Sequence, residues 1–268
     1  MTEQTKTAGD GARQRKWLLV MVALYALAAL VYILIPGGGL SMVDAVEGAE
    51  LELPVWQVAL GNVALILLMY GPLGLAGLWL ARKAGLPGVY RPGAGQRDLI
   101  WRPLQAGLSV GIALVLGDTL VRAVTDFEGF PHPPFPASLL ASFSAAVGEE
   151  ILFRLVLMSL WTWIMGRVFS RFAARQTARR WALWAANVIA ALAFAAAHLG
   201  TTMAVSDMMG PAGLRPVMLA EMVVLNGLVG VVAGVSFAER GLIAAAGVHF
   251  WADVVWHVLF GGLLGLMA

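Results

Sequence analysis

The sequence predicts an all-α protein, a polytopic bundle of about seven transmembrane helices, and three observations predict it. Of 268 residues, 60% are hydrophobic and only 13% are charged, about half the charged share of an average soluble domain. The apolar residues fall in seven runs of about 20 residues or more, the length that crosses a bilayer core. The basic residues fall in alternate loops. A chain of this composition lacks the polar surface to face water, which excludes a soluble enzyme, a disordered chain and a disulfide-stapled domain. The absence of cysteine excludes thiolate zinc sites, iron–sulfur clusters and cysteine nucleophiles.

In chain order, residues 1–16 are polar and read as a disordered cytoplasmic tail, with 17–268 as one transmembrane domain. Span 17–35 is too long for a signal-peptide core, and Pro36-Gly37-Gly38-Gly39 lacks the small-residue cleavage pattern. The next loop holds Asp44, Glu47, Glu50 and Glu52 and no base. Span 55–81 leads to a loop with Arg82, Lys83, Arg91, Arg97 and Arg102, and span 104–121 follows. The stretch 128–136 is rich in proline, which lacks a backbone donor and keeps the preceding residue out of helix. It reads as a cap over the outer face or an entry to span 137–166. Arg167, Arg171, Arg175, Arg179 and Arg180 occupy the next loop without an acid. Spans 181–200, 214–237 and 241–267 complete the seven, the last long enough to break into an eighth. With the N-terminus in the cytoplasm, fifteen of the 18 Lys and Arg fall on that side, the positive-inside bias. The chain reads as an integral, multi-pass protein of a bacterial-type inner or plasma membrane. Its arginine runs face anionic lipid, and nothing argues for nucleic acid.

Ionisable residues inside the apolar runs are Asp118, Glu149, Glu150, Arg154, His198, Glu221, His249, Asp253 and His257. Such groups are costly in a span and mark a function or a buried pair. Glu150 and Arg154 stand four apart with the acid first, the favourable order for a helical ion pair. Glu149, about 100° further round the helix, has no local partner and is suited to general acid–base work. The alternative is an ion network that holds this span against its neighbours. Phe194 precedes His198 by four positions with only alanines between, small residues that permit close helix approach. Alone, that histidine reads as an interfacial or hydrogen-bonded residue. His249, Asp253 and His257 share a helix face, either with Asp253 orienting a histidine or as a catalytic or ligand face. Two chemistries fit the three clusters. Glu149 and a histidine can activate a water against a carbonyl while other donors hold the oxyanion. Equally, His198, His249 and a carboxylate can bind zinc in a zinc-dependent membrane protease, although no HExxH sequence is present. Asp118 and Glu221 read as packing or interfacial residues, the alternative being a transporter path.

Glu149-Glu150-x-x-x-Arg154, Phe194-x-x-x-His198 and His249-x-x-x-Asp253, in that order on successive apolar helices, resemble the CPBP family. These are the type II CAAX prenyl endopeptidases and bacteriocin-processing proteins, also called Abi. The resemblance covers about residues 137–260; the first three spans match only as generic membrane helices. It implies an intramembrane, glutamate-dependent endopeptidase with no metal or other cofactor. Its surroundings are membrane lipid, and its substrate is a peptide or protein, lipidated in the prenyl branch. In that family the first glutamate of the pair and the second-motif histidine activate the water, which assigns Glu149 and His198. The last motif holds the oxyanion, which assigns His249 and Asp253, with Glu150, Arg154 and Phe194 in support. Prenyl proteases carry Asn at the final position, where this chain has Asp253. A carboxylate donates no hydrogen bond unless protonated, so Asp253 is either neutral or orients His249. That departure bears on prenyl-protein substrates more than on peptidase chemistry. The alternative is a member that acts without proteolysis, as a membrane regulator or self-immunity protein.

Depth counting raises a difficulty. Glu149 and His198 each lie 18 residues from the nearest loop arginine, about 27 Å at 1.5 Å per residue, whereas His249, nine residues from Arg240, is only about 13 Å deep. Their meeting needs a tilted last span, a 237–247 stretch that dips into the protein, or an arginine-rich helix running past the membrane after Arg167. Arg167, Arg171 and Arg175, beside Val168, Phe169 and Phe172, have the pattern of an interfacial amphipathic helix.

Overall fold

The computed structural model describes residues 3–39, 53–125, 127, 129–208 and 214–264. The acids expected in the first loop, Asp44, Glu47, Glu50 and Glu52, lie outside the described residues, as does Glu128. The described elements are helical throughout: α1 (Glu3–Leu34), α2 (Val55–Ala84), a π-helical turn π1 (Arg97–Trp101) running into α3 (Arg102–Val124), α4 (Ala137–Glu150), π2 (Ile151–Met158), α5 (Ser159–Phe169), α6 (Arg175–Ala197), α7 (Leu199–Met208), α8 (Pro216–Arg240), α9 (Leu242–Asp253) and π3 (Val254–Leu264). Seven helical runs are long and apolar enough to cross a membrane, and the protein is an integral multi-pass one. The last run continues through π3 without a break, so the described residues hold no eighth span.

Two expectations fail for identifiable reasons. The polar segment 3–16, expected as a disordered tail, continues α1. Gln14 is buried and anchors it: its amide nitrogen donates to Pro87 O at 3.2 Å and Tyr90 O at 2.9 Å, and its oxygen accepts from Val89 N at 2.7 Å. A loop 70 or more residues away supplies these partners, so local polarity could not reveal them. The interfacial helix across 167–175 is also absent. Arg167 lies in the last turn of α5, which ends at Phe169, the chain turns through 170–174, and Arg175 opens α6. Arg167 instead lies over the Trp163 ring at 3.8 Å.

Unequal span lengths resolve the depth difficulty. Ala137–Phe169 and Arg175–Asp207 are each 33 residues long, about 50 Å of helix against a hydrocarbon core of about 30 Å. Their arginine-rich ends therefore reach beyond the core, and counting from them overstates depth. At the other end of the comparison, α9 starts inside the protein. Gly241, at φ 101°, makes the turn from α8, a conformation glycine adopts without steric cost. Leu242 N and Ile243 N then donate to Gly88 O and Val89 O at 2.9 and 3.0 Å, and Leu242 is fully buried.

The central helix is α9. Of its span, 61% is buried, against 22–39% for the other six. It packs on α3, α4 and α8, and glycines on α3 make the closest approach. A methyl group on Gly107 would come within 2.6 Å of Trp251 Cβ and Val248 O, and one on Gly111 within 2.5 Å of Val255 Cβ. Membrane helices pack through such small residues because lipid offers no hydrophobic drive for association. Outward-facing side chains such as Leu68, Leu116 and Val224 are apolar and exposed. The polar groups are inside, where α4, α6, α8 and α9 meet.

Candidate active site

Glu149 and Glu150 are the last residues of α4, immediately before the widened turns of π2. Such π segments are rare and concentrate at functional sites. Glu150 and Arg154 are both fully buried and ion-paired, Nε to Oε2 at 3.1 Å, as their spacing predicted. Arg154 also donates to Ala190 O on α6 at 3.5 Å and lies over the Phe194 ring at 5.2 Å. A buried charge stays ionised only when paired and hydrogen-bonded, and these contacts fix Glu150 as an acceptor.

From α9, His249 turns Nδ1 toward Glu150 Oε1 at 3.0 Å. Because the paired Glu150 accepts, Nδ1 carries the hydrogen. The opposite nitrogen, Nε2, faces Asp253 Oδ2 at 3.5 Å and Glu149 Oε2 at 3.9 Å. Glu149 Oε2 is buried and has no hydrogen-bond partner among the described residues. His198 closes α6 and places Nδ1 2.9 Å from Phe194 O. A carbonyl only accepts, so Nδ1 donates and the neutral ring presents Nε2 as its basic nitrogen. The Phe194 ring stands at the junction, with centroids 4.9 Å from His198, 5.4 Å from His249 and 5.4 Å from Phe153, all edge-on.

Glu149, Phe194, His198, His249 and Asp253 all line one cavity of about 210 Å³. Leu114, Val229 and Trp256 form apolar walls, and Phe130 and Pro131 of the proline-rich loop lie over it. Glu150 and Arg154 stand behind, buried and off the cavity surface. All seven residues expected at the site therefore converge, although they come from α4, π2, α6 and α9.

Other residues reach the cavity without being expected there. Glu221, Asn226, Thr201 and Thr202 also line the cavity, and His132 bonds its Nδ1 to His257 Nδ1 at 3.0 Å beside it. Glu221 has a visible signal, an acid in an apolar run, but the sequence alone suits a packing or interfacial residue equally well. His132 has none, since a single histidine among prolines does not indicate what it faces. Burial, His257 and the Arg122 guanidinium push the His132 imidazole down to about 4, so the ring is neutral at physiological pH. Among the described residues no set of three or more His, Asp or Glu is disposed to hold a metal ion.

Comparison with known proteins bears on this geometry. Residues 131–255 match the family described as Type II CAAX prenyl endopeptidase Rce1-like, a family of proteases, in agreement with the resemblance carried by the three motifs. The match contains all seven residues and stops short of His257. Neither curated proteins nor solved structures give a match to the chain.

Proposed function

From that family match as premise, we propose that the protein is an intramembrane endopeptidase in which glutamate and histidine activate a water. The observation that carries the reading is the convergence of Glu149, His198 and His249 on one cavity. Glu149, with its unpartnered oxygen, takes a proton from the water, and His198 Nε2 orients it. The water oxygen attacks the scissile carbonyl, whose π electrons move to its oxygen. The proton then passes from Glu149 to the departing nitrogen as the carbonyl re-forms and the C–N bond breaks, and the new carboxyl gives its own proton to that amine, leaving a carboxylate and an ammonium.

With Nδ1–H given to Glu150, His249 reaches the oxyanion through Nε2–H, so it acts as the imidazolium. Asp253 at 3.5 Å balances that charge and aligns the ring. This geometry supports Asp253 as an orienting carboxylate and leaves oxyanion stabilisation to His249. Glu150 and Arg154 position the reacting groups from behind the cavity, and Phe194 holds His198 and His249 at its wall.

Orientation follows from the charges. With α1 entering from the cytoplasm, the loops bearing Arg82–Arg102 and Arg167–Arg180 and the Gly241 turn lie inside. Phe130, Pro131 and α7 then lie outside, so the cavity opens toward the non-cytoplasmic half. The cysteine-free sequence makes this directly measurable: single cysteines at Thr5 and at Phe135 should react with a membrane-impermeant maleimide only from opposite sides.

Purified protein in nanodiscs should cleave peptides, lipidated and unlipidated substrates being compared side by side. Glu149→Gln should lower the rate by at least about 10³-fold, as loss of a general base together with water positioning implies. Chelators should leave cleavage intact. Loss on chelation with rescue by zinc would overturn the metal-free chemistry. A chain acting as a regulator or self-immunity protein would keep its cellular phenotype in both Glu149→Gln and His198→Ala.

A further inference from the structure

The cavity has a second polar end, away from Glu149. Glu221, near the start of α8, lines it and is 3% exposed, and among the described residues no N–H or hydroxyl donor reaches either carboxylate oxygen. Glu221 faces Asp118, the carboxyl with which it shares a hydrogen bond when one of the two is protonated, and Arg122 of α3. That arginine is already committed: its Nε pairs with Asp118 Oδ2 at 2.6 Å, its guanidinium lies 5.7 Å from the Phe260 ring, and the backbone of Gly129 closes over it. Two carboxyls therefore meet one guanidinium, and among the described residues Glu221 has no cation of its own. Among the described residues no lysine or arginine lines the cavity, and its ionisable lining is Glu149, Glu221, Asp253 and three histidines.

A buried, unpaired carboxyl is costly in a low-dielectric site. It is relieved by a bound proton or by a cation that enters. Glu221 lies eight residues from Val229, which packs near Phe194 beside the reacting groups, about 12 Å along the helix. An extended peptide covers that distance in three to four residues, and a lysine or arginine side chain shortens it.

We propose that Glu221 is a specificity subsite for a basic side chain of the substrate, a lysine or arginine a few residues from the scissile bond. This rests on the endopeptidase reading and names the substrate class: apolar peptide segments interrupted by one cation. The apolar walls take the flanking residues, and Thr201, Thr202 and Asn226 supply polar contacts along the path.

The test uses apolar decapeptides, N-acetylated and C-amidated so that neither terminus carries charge, scanned with a single Lys, norleucine or Glu. In nanodiscs the full chain should prefer the best Lys peptide over its norleucine counterpart by at least about tenfold in kcat/KM, equivalent to about 1.4 kcal/mol. In Glu221→Gln that ratio should fall toward one, and in Glu221→Asp it should recover in part. A ratio unchanged in Glu221→Gln, or a loss equal for both peptides, would overturn the proposal and leave Glu221 as a structural acid. A binding measurement on the Glu149→Gln background separates this from failure of the peptidase reading. Fluorescein-labelled Lys and norleucine peptides should differ in Kd by about the same factor, and adding Glu221→Gln should abolish the difference. If no peptide is cut, the peptidase reading fails and this ratio alone decides the subsite; equal Kd values would then sink it.

Discussion

At the scale of single residues, the behaviour of the site depends on which charges are answered. Arg154 is fully buried and its principal counter-charge is Glu150. Replacing it with methionine leaves a carboxylate uncompensated in the protein interior, which typically costs about 3–5 kcal/mol. The double variant Glu150→Gln/Arg154→Met removes both charges and should recover much of that loss. Thermal unfolding in detergent reads both; equal destabilisation by the single and double variants would show that the pair does not act as a unit. His249 depends on the same pair, because Glu150 holds its Nδ1 at 3.0 Å. Glu150→Gln should therefore slow cleavage even where the fold survives.

At the scale of elements, the distance between helices decides whether the site assembles. Gly107 and Gly111 let α3 lie against the face of α9 and π3 that holds Val248, Ala252 and Val255, residues interleaved with His249 and Asp253. Gly111→Val forces the helices apart and should cost about 1–3 kcal/mol, the usual range for overpacking, with a larger fractional loss of cleavage. Leu116→Ala, on the exposed face of the same helix, serves as the control and should change neither. The elements themselves were legible in the sequence, because an apolar run of spanning length has few alternative readings. The three motifs were legible as clusters for the same reason: charges inside such runs are rare enough to single out. Helix depth was not legible. It depends on where a span starts relative to the core, and the buried start of α9 rests on backbone bonds to Gly88 and Val89 that no local pattern encodes. Glu221 was missed on similar grounds, since its environment is set by Asp118 and Arg122 on another helix.

At the scale of the whole molecule, the proline-rich segment and the bundle act together. His132 ties that segment to π3 through His257, and its imidazole is held at about 4, below its ordinary 6.5. Between those values the released segment binds a proton that the packed one does not, so packing is favoured above pH 6.5 and weakens as pH falls toward 4. Below about 4 both forms are protonated and the slope ends. Hydrogen exchange across 129–135 should accelerate through that window, and His132→Phe should flatten the dependence. An unchanged slope in that variant would assign the effect to other groups facing the pair, Asp253 and Arg122 among them.

The central position of α9 has a consequence for biogenesis. This helix carries His249 and Asp253, is the most enclosed of the seven spans, and follows the other six in chain order. During synthesis the earlier spans must enter the bilayer around a slot whose occupant has not yet been made, with Glu149 and Glu150 turned toward it. A nascent chain paused at Arg240 presents those charges to lipid or to an insertion chaperone. Arrival of α9 then brings His249 and Asp253 against Glu149 and Glu150 in one event.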